Sequence, residues 1–86
     1  MNRTVSLINV EVVVFATLRK YLPELKLGET KSMVVPEGTM VSEIIEMLGL
    51  PSQEVKVIYK NNRQTERNDL VHDGDRVAFV PAAGGG

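Results

Sequence analysis

One helical stripe set between strand-patterned segments constrains this chain more than any other feature. In Gly38-Thr39-Met40-Val41-Ser42-Glu43-Ile44-Ile45-Glu46-Met47-Leu48-Gly49-Leu50-Pro51, the residues Val41, Ile44, Ile45 and Leu48 recur at i, i+3, i+4 and i+7, with Glu43 and Glu46 on the opposite side. That spacing predicts a short amphipathic helix with one buried face. Thr39 is expected to cap its start, and the two acids lie toward the positive end of the helix dipole. Gly49 can take a left-handed conformation at the end, Leu50 can fold back on the last turn, and Pro51 cannot continue the helix. A single stripe has no second helix to bury against. With strands on both sides its partner must be a sheet, so the predicted class is α+β.

The flanking segments alternate with period two. Val5–Phe15 places Ile8, Val10, Val12 and Val14 on one parity, which predicts a long strand with a strongly buried face. Ala16–Glu29 loses the pattern and reaches a proline and a glycine, so a loop with at most one helical turn is expected. Lys31–Val35 reads as a second strand closed by Pro36-Glu37-Gly38. Val55–Lys60 reads as a third, with Asn61-Asn62 as a turn because Asn tolerates positive φ. A polar stretch follows. The tight Asp73-Gly74-Asp75 turn then leads into Arg76–Val80, a last strand stopped by Pro81. The predicted order is strand, strand, helix, strand, strand, arranged as two hairpins with the helix across them. At 86 residues this is one domain. It is expected to occupy residues 1–81, with residues 82–86 as a flexible tail.

Several kinds of chemistry are excluded. The chain has no cysteine and one histidine, His72, which removes thiolate catalysis, iron–sulfur ligation and cysteine-based zinc sites. His72 sits beside Asp73 in a polar turn and is read as solvated. Ten basic residues against 11 acidic ones give a net charge of −1, so neither nucleic acid nor a membrane surface is an expected partner. The apolar run Val12–Leu18 is too short to span a bilayer, and Met1-Asn2-Arg3-Thr4 lacks a signal peptide's apolar region, so a cytoplasmic location is expected. No nucleophile with a histidine base and no phosphate-binding glycine loop is present. What remains is the end of the chain. Ala82-Ala83-Gly84-Gly85-Gly86 follows the last strand through Pro81 with no side chain larger than a methyl. Three residues without Cβ can thread a narrow channel and bring the Gly86 carboxylate to a reacting group. The blander reading is a frayed end.

Four segments in order carry a resemblance: Phe15-Ala16-Thr17-Leu18-Arg19, Pro36-Glu37-Gly38-Thr39-Met40, Leu48-Gly49-Leu50, and the run from Leu70 to Gly85. Together they resemble the molybdopterin synthase small subunit and thiamine sulfur-carrier family. The resemblance implies a ubiquitin-like β-grasp fold, with a mixed four- to five-stranded sheet and one main helix across it. It also implies a cycle on the tail. An activating enzyme would use ATP to adenylate the terminal carboxylate, a sulfur donor protein would convert it to a thiocarboxylate, and the large subunit of molybdopterin synthase would take the sulfur into a molybdenum or tungsten pterin. The chain itself would be a non-catalytic carrier with no stably bound cofactor. Gly86 and Gly85 are then the candidate reactive residues. Gly84, Ala83, Ala82, Pro81, Phe79 and Arg19 are the candidate partner contacts, although the parity that Phe79 shares with Val77 also suits the core. The family usually has two prolines before the tail and two glycines at its end. Here one proline and three glycines leave open which of Gly85 and Gly86 reacts. The alternatives are a carrier for thiazole synthesis, a ubiquitin-like modifier joined to a target lysine through Gly86, and a β-grasp interaction module with an inert end.

Overall fold

The computed structural model describes residues 5–82. Five strands, β1 (Leu7–Val14), β2 (Lys31–Pro36), β3 (Val57–Lys60), β4 (Arg63–Thr65) and β5 (Arg76–Val80), form one sheet in the order β2-β1-β5-β3-β4. Helix α1 (Val41–Met47) and two 3₁₀ segments, Ala16–Tyr21 and Ser52–Glu54, complete the body. β1 pairs antiparallel with β2, as expected, and parallel with β5. β5 also pairs antiparallel with β3, so it is inserted between two hairpins that a simple two-hairpin arrangement would set side by side.

The parity read from the sequence decides what is inside. Ile8, Val10, Val12 and Val14 of β1, with Val35, Ile58, Val77 and Phe79, are buried on the face that meets the helix stripe Val41, Ile44, Ile45 and Leu48. The helix ends as its sequence predicts. The Leu50 N–H donates to the Ile45 carbonyl at 3.1 Å and the Gly49 N–H to the Glu46 carbonyl at 3.0 Å. Gly49 has φ +73° and Leu50 is buried, which is the paired-bond ending that a left-handed residue permits.

The helix start differs from expectation. Met40, not Thr39, is the N-cap residue, and the Thr39 hydroxyl donates to the Pro36 carbonyl at 2.6 Å. The Met40 N–H donates instead to Glu43 Oε1 at 2.8 Å. Val41 and Ser42 donate to the carbonyls of Asp69 and Arg67, each at 2.9 Å. The first free N–H groups of a helix need acceptors, and here the polar turn after β4 supplies two of them.

Two further departures are local. Ala16–Tyr21 forms about two 3₁₀ turns where at most one turn was expected, pinned by the fully buried Leu18. The polar stretch after Asn61-Asn62 begins with the short strand β4, and Ser52–Glu54 forms a 3₁₀ segment that the apolar pattern does not signal. The turn before β4 is as expected. Asn61 and Asn62 have φ of 53° and 69°. The Asn61 side chain donates to Asp75 Oδ1 at 2.8 Å and accepts from the Arg76 N–H at 3.0 Å, which ties the turn to the start of β5.

Candidate functional site

β5 carries the chain to the tail from the middle of the sheet, bonded on both sides to its last residue. The Phe79 carbonyl accepts from the Phe15 N–H at 3.1 Å, and the Val80 carbonyl accepts from the Lys56 N–H at 2.9 Å. Pro81 follows and is buried, and because proline has no N–H its burial leaves no donor unpaired. It lies at a hollow of about 180 Å³ lined also by Thr17, Gln53, Glu54, Lys56 and Ala82. Ala82 is exposed. The described chain is therefore held in the body through Pro81 and exposed at Ala82.

Beside this exit the sheet presents an open apolar face. Residues opposite in parity to the core, Phe15, Ala78, Val80 and Tyr59, surround a shallow groove of about 460 Å³ with Asn62 at its edge. Phe15 is 42 % exposed and Tyr59 37 %, large apolar surfaces for a body this small. In register, Ala78 is opposite Val13 on one side and Tyr59 on the other. A methyl between larger neighbours makes the face concave there. A second groove of similar volume lies by Lys56, Gln64, Glu66 and Arg67. Its lining mixes charged and polar side chains with Val57 and Ile58, whereas the groove at Phe15 and Tyr59 is mostly apolar, as the core of a partner interface is.

The ThiS family pattern matches residues 12–86, which include β5, Pro81 and the glycine run. The chain belongs to the ThiS family. Among solved structures, a Pyrococcus furiosus chain described as molybdopterin converting factor subunit 1 superimposes with a TM-score of 0.69 at 24 % identity, covering 88 % of this chain and 99 % of its own. SAMP1 from Haloferax volcanii gives 0.70 at 18 % identity, covering 91 % and 99 %. Caldiarchaeum subterraneum ubiquitin gives 0.59 at 16 %, covering 94 % and 100 %. At such identities the likeness is one of fold, and it is the β-grasp. No curated protein matches the chain by sequence.

Within this ThiS-family body the sequence-derived candidates fall into three groups. Ala82 is exposed at the exit, and Arg19 is half-exposed on the first 3₁₀ segment. Phe79 is 0 % exposed in the core, and Pro81 is mostly buried at the edge of the hollow by the exit. Parity with Val77 decides the case of Phe79, since β5 turns Ala78 and Val80 outward instead. Ala83, Gly84, Gly85 and Gly86 lie outside the described residues. The candidate list omitted Phe15, Tyr59, Ala78 and Val80. Their signal was present, because β1 and β5 carry apolar residues on both parities near the tail end, more than one buried face requires. The His72 side chain is exposed, with Nδ1 3.7 Å from Asp75 Oδ2. Among the described residues no group of three or more His, Asp and Glu is arranged to hold a metal ion, and no helix is long and apolar enough to cross a membrane.

Proposed function

We propose that this ThiS-family carrier is of the molybdopterin synthase type and carries sulfur as a thiocarboxylate on Gly86. One observation carries the reading. The sheet is complete at Val80 and the body closes on Pro81, yet the family match continues to Gly86, so the last residues answer to a demand other than folding.

A carboxylate is a poor electrophile until one oxygen becomes a good leaving group. On an activating partner, a Gly86 carboxylate oxygen attacks the α-phosphorus of ATP and pyrophosphate departs. Donor sulfur at the oxidation level of sulfide then attacks the acyl carbon and AMP departs, leaving a C–S bond where a C–O bond had been. No cysteine in the carrier is needed, and this chain has none. The large synthase subunit then draws the sulfur into the pterin. Ordering three glycines in a channel costs on the order of 3–6 kcal/mol, which the partner must offset by holding the body as well. The apolar face of Phe15, Tyr59, Ala78 and Val80 beside the exit suits that purpose.

Incubation with ATP, the cognate adenylating enzyme and a sulfur donor should add the mass difference of one oxygen replaced by sulfur, located by fragmentation at the C-terminal residue. Transfer of that sulfur to a pterin precursor supports the molybdopterin type, and transfer to a thiazole precursor supports the other carrier pathway. An unchanged mass with Gly86 joined to lysines of other proteins would replace the reading with that of a modifier.

A further inference from the structure

We propose that the hydrogen bond between Tyr21 and Glu54 is a strut that fixes the direction in which the tail leaves the body, making both positioning residues for activation at Gly86. The inference rests on the carrier reading above and concerns how the same end is presented. Two 3₁₀ segments flank the exit. Ala16–Tyr21 contributes Thr17 to the hollow at Pro81, and Ser52–Glu54 contributes Gln53 and Glu54. The Tyr21 hydroxyl donates to Glu54 Oε2 at 2.9 Å, a partly buried contact that joins the two segments directly.

Each segment is anchored separately to the body. Leu18 is fully buried and holds the first. Arg67 Nη2 donates to the carbonyls of Ser52 and Val55 at 2.6 and 2.7 Å and holds the second. These anchors tie each segment to the body, whereas the Tyr21–Glu54 bond ties the segments to each other through Glu54, which lines the hollow at Pro81. Pro81 lines the same hollow as Thr17, Gln53 and Glu54, and its ring restricts φ. The rigid part of the chain therefore ends with a set direction.

That direction matters because of leverage. From Ala82 to Gly86 a chain drawn out in a channel spans about 13–14 Å at roughly 3.3–3.6 Å per residue. A tilt of about 15° at Pro81 would displace its far end by about 3–4 Å, and misplacement by about 1 Å can already slow a positioned reaction severely. A partner gripping both the open face and the tail gains from both only when the geometry lets it engage them together.

The test is ATP–pyrophosphate exchange by the cognate adenylating enzyme, with this chain as the varied substrate. Because the docking face is untouched, Tyr21→Phe should leave KM for the carrier within about twofold and lower kcat about tenfold. Glu54→Ala should match it. Glu54→Gln, whose amide oxygen still accepts from the hydroxyl, should restore wild-type kcat. Thr65→Val removes a partly buried hydrogen bond of the same kind, to Asp69, away from the exit, and should leave kcat unchanged. In the free protein, Tyr21→Phe should lower the amide ¹⁵N order parameter of Ala82. Unchanged kcat in Tyr21→Phe, or an equal loss in Thr65→Val, overturns the strut while the carrier reading stands. If the unmodified chain supports no exchange the carrier reading falls, and the Ala82 order parameter then decides the strut alone.

Discussion

Ala78 and Phe79 are consecutive on β5 and face opposite sides of the sheet, Phe79 fully buried under the helix and Ala78 half-exposed between Val13 and Tyr59. Stability and recognition should therefore separate across one peptide bond. Phe79→Ala should cost about 3–5 kcal/mol through the cavity it leaves, a large share of the margin of so small a domain. Ala78→Lys places a charge on the open face, should change stability by about 0.5 kcal/mol or less, and should abolish pull-down of the carrier by its activating enzyme. Urea melts and the pull-down together check the pair, and a stable Phe79→Ala would overturn the core assignment.

The tail should be separable from the fold in the same manner. Appending a tryptophan after Gly86 should abolish sulfur loading while the folded body keeps its stability to within about 0.5 kcal/mol. Removal of Gly86 alone decides which glycine reacts. Improved loading assigns the reaction to Gly85, and lost loading assigns it to Gly86. Untrimmed extended protein that still loads would favour an interaction module with an inert end.

Asp69 gives the acid limb of stability a definite sign. The Lys60 ammonium, 2.7 Å from Asp69 Oδ2, and then the Thr65 hydroxyl hold its carboxyl below the ordinary value of 3.8. A group whose pKa is depressed by folding stabilises the native state above its unfolded pKa and loses that contribution as pH falls through the folded one. The pair is partly exposed, so its worth is about 0.5–1 kcal/mol. Asp69→Asn should lower the melting midpoint at pH 7 and make the decline below about pH 4 shallower. Parallel thermal melts from pH 7 to pH 2 measure both.

Ala16 is the non-glycine residue that enters the first 3₁₀ segment at φ 52°. A left-handed conformation costs an L-residue about 1–2 kcal/mol, against about 0.5–1 kcal/mol for the extra freedom of glycine in the unfolded chain. Ala16→Gly should therefore raise stability by about 0.5–1 kcal/mol, the reverse of the usual effect in a helix. A lower urea midpoint would show that the turn after β1 is not strained as the φ value implies.

The fold was legible where burial dictates residue type. The stripe Val41, Ile44, Ile45, Leu48 and the even parity of β1 announce their own faces, and Gly49-Leu50-Pro51 announces the helix end. β4 was illegible because Arg63, Gln64 and Thr65 form an edge strand with little to bury, and apolar alternation is the signal that pattern reading requires. The helix start misled for a related reason. Thr39 is a good capping residue, but Asp69 and Arg67 offered backbone acceptors from a remote segment, and such acceptors carry no side-chain signature. At the site, the glycine run was visible as a chemical end. The open apolar face was legible only in part: β1 and β5 carry apolar residues on both parities, but Phe15, Tyr59, Ala78 and Val80 come from three distant segments and meet only once β5 lies between β1 and β3.

That insertion of β5 also bears on how the chain reaches its native state. The β1–β2 and β3–β4 hairpins can each form from nearby residues, but they share no ladder until β5 arrives, and its pairing with β1 joins residue 11 to residue 76. Closing so large a loop precedes any reward from the contact, which is the circumstance that slows folding. In the interval each half-sheet shows an inner edge rich in valine and isoleucine with unpaired backbone groups, the kind of surface on which other chains assemble. A lesion in β5 would thus leave two adhesive halves in place of a weakened carrier, and its first visible consequence would be aggregation.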